Sequence, residues 1–395
     1  RVDQLLSSLG HADRRIRLES QFELANRKET KSLRAKAIDS KSALLPRLHA
    51  LWGLGQLKAR DRDLLKLICQ DKDAEMRAQA ARWAGDLGFD PDNLVPGLLR
   101  DPSPRVRLMA GIACGKLMSK EALEPLTKLI VDAGNKETVL RHAGIFGLAG
   151  AASPRELKSL SEHSSETLRI AAVVALRRQG AFDELTAFLD DASPQVMSDA
   201  MRAIYDEASP QTFNDHPNVL TALATSLDPS SPAPVNVRAI AANRRLGTIE
   251  AARRVAAFLT TPKLDPALRV EALYSLESWP DASTLDPMDG RHFPVPQGDP
   301  EVLGEVVGPE IWSLAHDSHD KVSRRVIALL RKIEPSPAQL DRVAGFVLDE
   351  KQRSSIRIEW LRWLRKQKID LFSSVGVKAL ASKSVELRVA ASQEL

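Results

Sequence analysis

The stretch DPSPRVRLMAGIACGKL, residues 101–117, joins a turn signal to a run with helical spacing. Asp and Ser, each followed by Pro, mark a turn and the start of a helix. Within the run, Arg107 stands three residues before Ala110 and seven before Cys114. Offsets of three, four and seven fall on one face of an α-helix. The pattern recurs in both directions. Upstream, at intervals of 30, stand Arg77 in EMRAQAARWAG, Arg47 in LPRLHALWGLGQL and Arg17 in RIRLESQFEL. Downstream stand Arg141, Arg169, Arg238, Arg269, Arg357 and Arg388, with Met197 and Ser323 in the same place in two further copies. The intervals run from 28 to 41 residues, apart from one of 54. A fixed period in this range is the mark of a solenoid.

Three residues after the marker the side chain is nearly always small: Ser20, Ala50, Ala80, Ala110, Gly144, Ala172, Ala200, Ala241, Ala272 and Ala391, with Val326 and Trp360 as exceptions. Seven residues after it the side chain is usually apolar, as at Leu24, Leu54, Leu148 and Leu176. The small column lets a neighbouring helix approach and the large column fills the space beside it. Upstream of each marker lies a second apolar segment, such as LLKLICQD, LVPGLLRD or ELTAFLDD. Each unit therefore reads as helix, turn, helix, and buries its faces only by stacking on its neighbours. No sustained period-two run predicts a strand.

This pattern resembles the HEAT-repeat family, in which a turn Asp also stands a few residues before a Val-Arg pair opening the second helix. Residues 101–117 carry the likeness most fully. The resemblance implies an all-α, right-handed α-solenoid of about twelve HEAT-like helix pairs over residues 1–395. It says little about function, since a fold shared by scaffolds, transport factors and some enzymes does not fix an activity.

Composition narrows the classes further. Aromatics make up 5%, low for a β-sandwich or a deep ligand-binding barrel, and the formal charge is +4. That excess is small for a nucleic-acid binder. Cys69 and Cys114 form no CxxC or CxxCH pattern, and no run of eighteen apolar residues predicts a membrane span. No signal peptide is seen, and the chain opens RVDQLLSSL and closes ELRVAASQEL inside a helical pattern, abrupt ends that suggest a piece of a longer polypeptide.

The ladder Arg17, Arg47, Arg77, Arg107, Arg141, Arg169, Arg238, Arg269, Arg357 and Arg388 could pass for an anion-binding stripe. A residue recurring in every unit is better explained by stacking. Each guanidinium is expected to bridge to a turn Asp or carbonyl, with Asp13, Asp73, Asp101, Asp191 and Asp265 as candidate partners. His49 and Trp52 tempt a cofactor reading. But the Trp52 column also holds Phe22, Phe146 and Tyr274, so the pair reads as packing. His316 and His319, spaced i, i+3 beside Asp317 and Asp320, could hold a metal but fall in an inter-helix turn. No catalytic constellation stands in a usable context.

Two irregular segments remain for recognition. One is the insertion at 280–300, whose five prolines forbid a helix and favour a stiff extended loop. Arg291, His292 and Phe293 are its candidate contact residues. The other is the basic stretch KQRSSIRIEWLRWLRKQK, residues 351–368, where Trp360 and Trp363 interleave with charge. It could stack bases, or form an amphipathic helix whose tryptophans face a neighbouring unit or a partner.

The wording RLHALWGLGQL, with DGRHFPVPQGDP far downstream, resembles the helical-repeat region of multidomain propeller/HEAT/cytochrome c dehydrogenase-like proteins of planctomycete-type bacteria. That resemblance implies a periplasmic or secreted setting, with redox chemistry in flanking domains. The expected function is a non-catalytic scaffold and protein-interaction surface with no cofactor of its own. It would join a dehydrogenase-like propeller to a c-type cytochrome domain. Partners would be neighbouring protein domains or subunits, with nucleic acid and membrane not expected. The alternatives are a nucleic-acid-binding HEAT protein using the basic C-terminal region, and a small-molecule-binding or bilin-lyase-like enzyme.

Overall fold

A computed structural model describes residues 1–286, 288–298, 300–317 and 319–395, with backbone alone at 300–302, 306, 309 and 316. The protein is an all-α solenoid of helix–turn–helix repeats. The chain divides into two compact units, Arg1–Asp199 and Ala200–Leu395.

In the first unit, the marker-bearing helices Arg14–Asn26, Leu44–Gln56, Ala74–Leu87, Pro104–Leu117, Thr138–Ala151 and Glu166–Gln179 pack one on the next. Shorter helices, among them Thr30–Ile38, Arg62–Cys69 and Leu123–Ala133, form a second layer against them. The second unit repeats the arrangement with Ala233–Leu246, Pro266–Glu277, Asp320–Leu330, Ser354–Gln367 and Val385–Glu394.

Local chemistry sets the ends of these helices. Asp13, Asp73, Ser165, Thr248 and Ser384 each accept a backbone N–H of the first turn, which satisfies a donor the helix cannot. The small column is buried at Ala50, Ala80, Ala110, Ala172 and Ala272, as close helix packing requires. Contact is tightest between Pro104–Leu117 and Thr138–Ala151. A Cβ on Gly115 would lie 2.6 Å from the Phe146 carbonyl oxygen, and one on Gly147 would lie 2.8 Å from that of Gly111.

Two sequence expectations need correcting. LVPGLLRD forms a 3₁₀ turn, Val95–Arg100, where Pro96 and Gly97 work against an α-helix. The insertion is more ordered than an extended loop. Ser283–Leu285 and His292–Val295 pair as an antiparallel hairpin, with Leu285 opposite His292. Pro294 is compatible with its strand because a two-stranded sheet consists only of edges.

Cys69 and Cys114 are buried and unpaired. Burial pushes both thiols up to about 12, with Asp90 adding to the effect. The nucleophilic thiolate is therefore scarce at neutral pH. Both should react with a chromogenic disulfide reagent only as fast as the chain opens. Labelling as rapid in native buffer as in denaturant would contradict this burial.

Candidate functional site

Five of the ten ladder arginines share one seat. Arg17, Arg77, Arg107, Arg169 and Arg388 each place Nη1 on two carbonyls of their own turn. For Arg77 these are Asp71 and Lys72 (2.7 and 3.2 Å), and for Arg169 they are His163 and Ser164 (2.8 and 3.3 Å). In Arg77 and Arg169 the other edge of the guanidinium points to the next repeat. Arg77 Nε and Nη2 donate to Asp101 (2.7 and 2.9 Å), and Arg169 donates likewise to Asp191 (2.7 and 3.0 Å). Arg47 pairs forward with Asp71 and Arg269 with Asp317, whereas Arg238 pairs back with Asp206 and Arg357 with Glu350 of its own turn. Arg141 bonds Gly134 O and the side chain of Asn135.

The turn Asp that receives the fork stands two residues before the helix N-cap. Asp71, Asp101, Asp191 and Asp317 each accept the backbone N–H two residues on with the same carboxylate, an Asx turn. Three of the expected partners act otherwise. Asp73 and Asp265 cap helices, and Asp13 caps its helix and pairs with Arg15.

The insertion is held by its own unit. Arg245 is buried between the rings of Tyr205 and Phe293, 4.0 and 3.7 Å from their centroids. Its Nε donates to Asp286 Oδ2 (2.8 Å), which also accepts the Tyr205 hydroxyl (2.8 Å). Burial pushes the Tyr205 hydroxyl far up, so it stays a donor. Arg244 binds the carbonyls of Pro296, Ser278 and Asp281 (2.7, 2.9 and 2.6 Å). Arg291, expected as an outward anchor, donates instead to the carbonyls of Asp206 and Tyr205 (2.7 and 2.9 Å). Phe293 is buried against Arg245 and Phe213. Of the three candidate residues, only His292 is exposed.

Trp360 and Trp363 are likewise internal. Both are fully buried and stack around Trp312, at 6.0 and 6.3 Å between centroids. No base or partner can reach them. The charges of the same stretch meet acids: Arg353 pairs with Asp320, Arg357 with Glu350, and Arg362 and Arg365 with Glu394. His319 is exposed in its turn, and the side chain of His316 lies outside the described residues. Among the described residues, no group of three or more His, Cys, Asp or Glu side chains could hold a metal, and no helix is long and apolar enough to cross a membrane.

An accessible apolar groove lies elsewhere. Leu18, Phe22, Leu51, Trp52, Gly55 and Trp83 line a groove across the helices Arg14–Asn26, Leu44–Gln56 and Ala74–Leu87. Phe22 is 40% exposed, so an aromatic face stands open to solvent. Trp52 Nε1 donates to Gln79 Oε1 (3.0 Å), and Gln79 Nε2 donates to Glu75 (2.8 Å). His49 sits behind, edge-on to Trp52 at 4.9 Å. Arg17 Nε donates to its Nε2 (3.2 Å), so its proton is on Nδ1, facing Gln21 Oε1 at 2.7 Å. Burial first, then Arg17 and Arg14, hold its pKa down and keep it neutral. Trp83 Nε1 is buried without an acceptor beneath this floor.

Packing therefore accounts for His49 but not for all of Trp52. The signal was in the spacing. At about 100° per residue, the +5 column falls roughly opposite the +3 and +7 core columns. Phe22, Trp52 and Arg82 occupy that outward column in successive repeats.

Residues 62–149 and 91–177 match the family model described as HEAT repeats. No curated protein matches the chain. Among solved structures, the chain is similar to an engineered protein at 15% identity and TM-score 0.38, covering 100% of this chain and 97% of that one. It is also similar to Kap121p bound to Ste12p (12% identity, TM-score 0.46) and to the karyopherin Kap121p bound to the SUMO protease Ulp1p (13%, 0.45). Each Kap121p match covers 100% of this chain and 48% of the other, so the chain spans about half the length of Kap121p.

Proposed function

We propose that the chain is a non-catalytic protein-interaction scaffold that holds a protein segment in the groove around Trp52. One observation carries this reading. Phe22 and Trp52 present aromatic surface in a groove whose floor is held by the buried amides Gln21 and Gln79, bonded to His49 and Trp52. Large aromatic side chains held in place lose little entropy on binding and carry interface energy out of proportion to their number. The family resemblance supports a finer version. In it the chain joins a dehydrogenase-like propeller to a c-type cytochrome domain in a periplasmic or secreted protein and holds no cofactor itself.

The test selects peptides from a display library on the full chain and measures the winners against variants. Trp52→Ala should weaken them by about 2 kcal/mol, roughly thirtyfold. Phe22→Glu, a surface change that leaves the fold intact, should do the same. Selected peptides that bind both variants unchanged, or a selection that enriches nothing, would remove the groove as the site.

A further inference from the structure

We infer that Arg107 is an unfilled rung of the ladder and a binding site for a carboxylate side chain of a protein partner. Its seat is the same as that of Arg77 and Arg169. Nη1 donates to the carbonyls of Asp101 and Pro102 (3.0 and 3.2 Å), which fixes the plane of the guanidinium. In Arg77 and Arg169 the remaining edge, Nε and Nη2, grips an Asp of the following turn with both oxygens. The following turn for Arg107 is the one before Thr138–Ala151, whose N-cap is Glu137. The ladder position, two residues before the cap, holds Asn135. Its side chain is turned to Arg141. Arg107 Nε and Nη2 make no hydrogen bond among the described residues. The nearest acid, Glu137, is 3.8 Å away, beyond hydrogen-bond reach.

A cleft of about 520 Å³ opens at that edge. Leu99, Leu129, Leu140, Pro102 and Pro125 are among its walls. Of the other charges in it, Asp101 is engaged with Arg77, Arg100 with Glu124 and Lys128 with Asp132, while Glu137, also in the wall, faces Arg107 at 3.8 Å without a hydrogen bond. The fork edge of Arg107, Nε and Nη2, is thus left without a hydrogen-bonded carboxylate, with Glu137 only at ion-pair distance. A planar fork held by two carbonyls matches a carboxylate in bidentate geometry, as the neighbouring rungs show. The apolar walls favour an acid carried by a peptide with a neighbouring aliphatic side chain. This cleft shares no lining residue with the groove at Trp52, so either site can fail without the other.

The experiment follows the Arg107 Nε–H resonance of the full chain, assigned by its loss in Arg107→Lys. Acetyl-Leu-Asp-amide should shift it and acetyl-Leu-Asn-amide should not. Asn135→Asp restores the internal carboxylate. It should move the resonance to its bonded position without ligand and weaken the Asp dipeptide at least tenfold, as expected for losing a charged hydrogen-bond pair. Four results would overturn the assignment. They are no shift up to the solubility limit of the Asp dipeptide, equal binding of the Asn dipeptide, unchanged affinity in Asn135→Asp, or tighter binding of inorganic phosphate than of the Asp dipeptide.

Discussion

Asp286→Ala should destabilise the second unit by about 3–5 kcal/mol, the cost of leaving a buried charge without its partner. Asp286 and Arg245 are both buried, 2.8 Å apart. Removing the carboxylate leaves Arg245 between two rings, whose faces compensate a cation only in part. It also strands the Tyr205 hydroxyl and the backbone N–H of Met288, which Asp286 Oδ1 accepts at 2.9 Å. Tyr205→Phe, which removes one hydrogen bond and no charge, should cost only about 1 kcal/mol. Urea unfolding followed by tryptophan fluorescence measures both. The hairpin over Ser283–Leu285 and His292–Val295 should become protease-sensitive in Asp286→Ala before the helices unfold. A loss below that of Tyr205→Phe would show that water reaches and solvates Arg245.

Gly150→Ala is the second large effect. Its Cβ would overlap the carbonyl oxygen of Gly115 and meet the Gly115 carbonyl carbon and Cα at 2.7 and 2.8 Å. All three are backbone atoms of a packed helix, so no side chain can swing aside. Overpacking usually costs about 1–3 kcal/mol, and backbone against backbone places this case at or above the upper end. Alanine's better helix propensity, about 1 kcal/mol, does not offset it. Gly97→Ala is the control, since a Cβ there meets nothing within 4 Å. It should be neutral or slightly stabilising. Thermal unfolding of the pair separates a steric cost from a propensity gain, and equal midpoints would mean that the helices stand further apart.

Repetition made the fold legible. The marker and its small and large columns return often enough to define a helical face without any knowledge of contacts. The stacking role of the arginines followed from the same repetition. The choice of acid did not. In the DKD turn, two aspartates stand near the marker, and only the position before the cap tells Asp71, the partner of Arg47, from Asp73, the cap. The insertion was opaque for a different reason. Arg245 and Asp286 are 41 residues apart in a segment with no periodic copy. The outward face of the first repeats could have been read, because its column lies opposite the core. An aromatic there reads as packing because aromatics usually pack.

The seam between Pro104–Leu117 and Thr138–Ala151 joins two facts of different origin. It lacks an Arg–Asp fork, and it holds the closest contacts of glycine with backbone. The consequence is a difference in sensitivity to acid. Burial would raise the pKa of Asp101, but the Arg77 fork and the Ser103 N–H outweigh it and hold the carboxyl below its ordinary value. Asp71 is held down in the same way through Arg47. Stability drawn from such groups is complete above the unfolded pKa, near 4, and is lost as the pH falls through the lower folded value. Glycine against backbone has no proton to gain. Acidification therefore loosens the joints on one side of this seam while the seam itself keeps its grip, so the repeats are fastened by two kinds of joint that answer to different solvents.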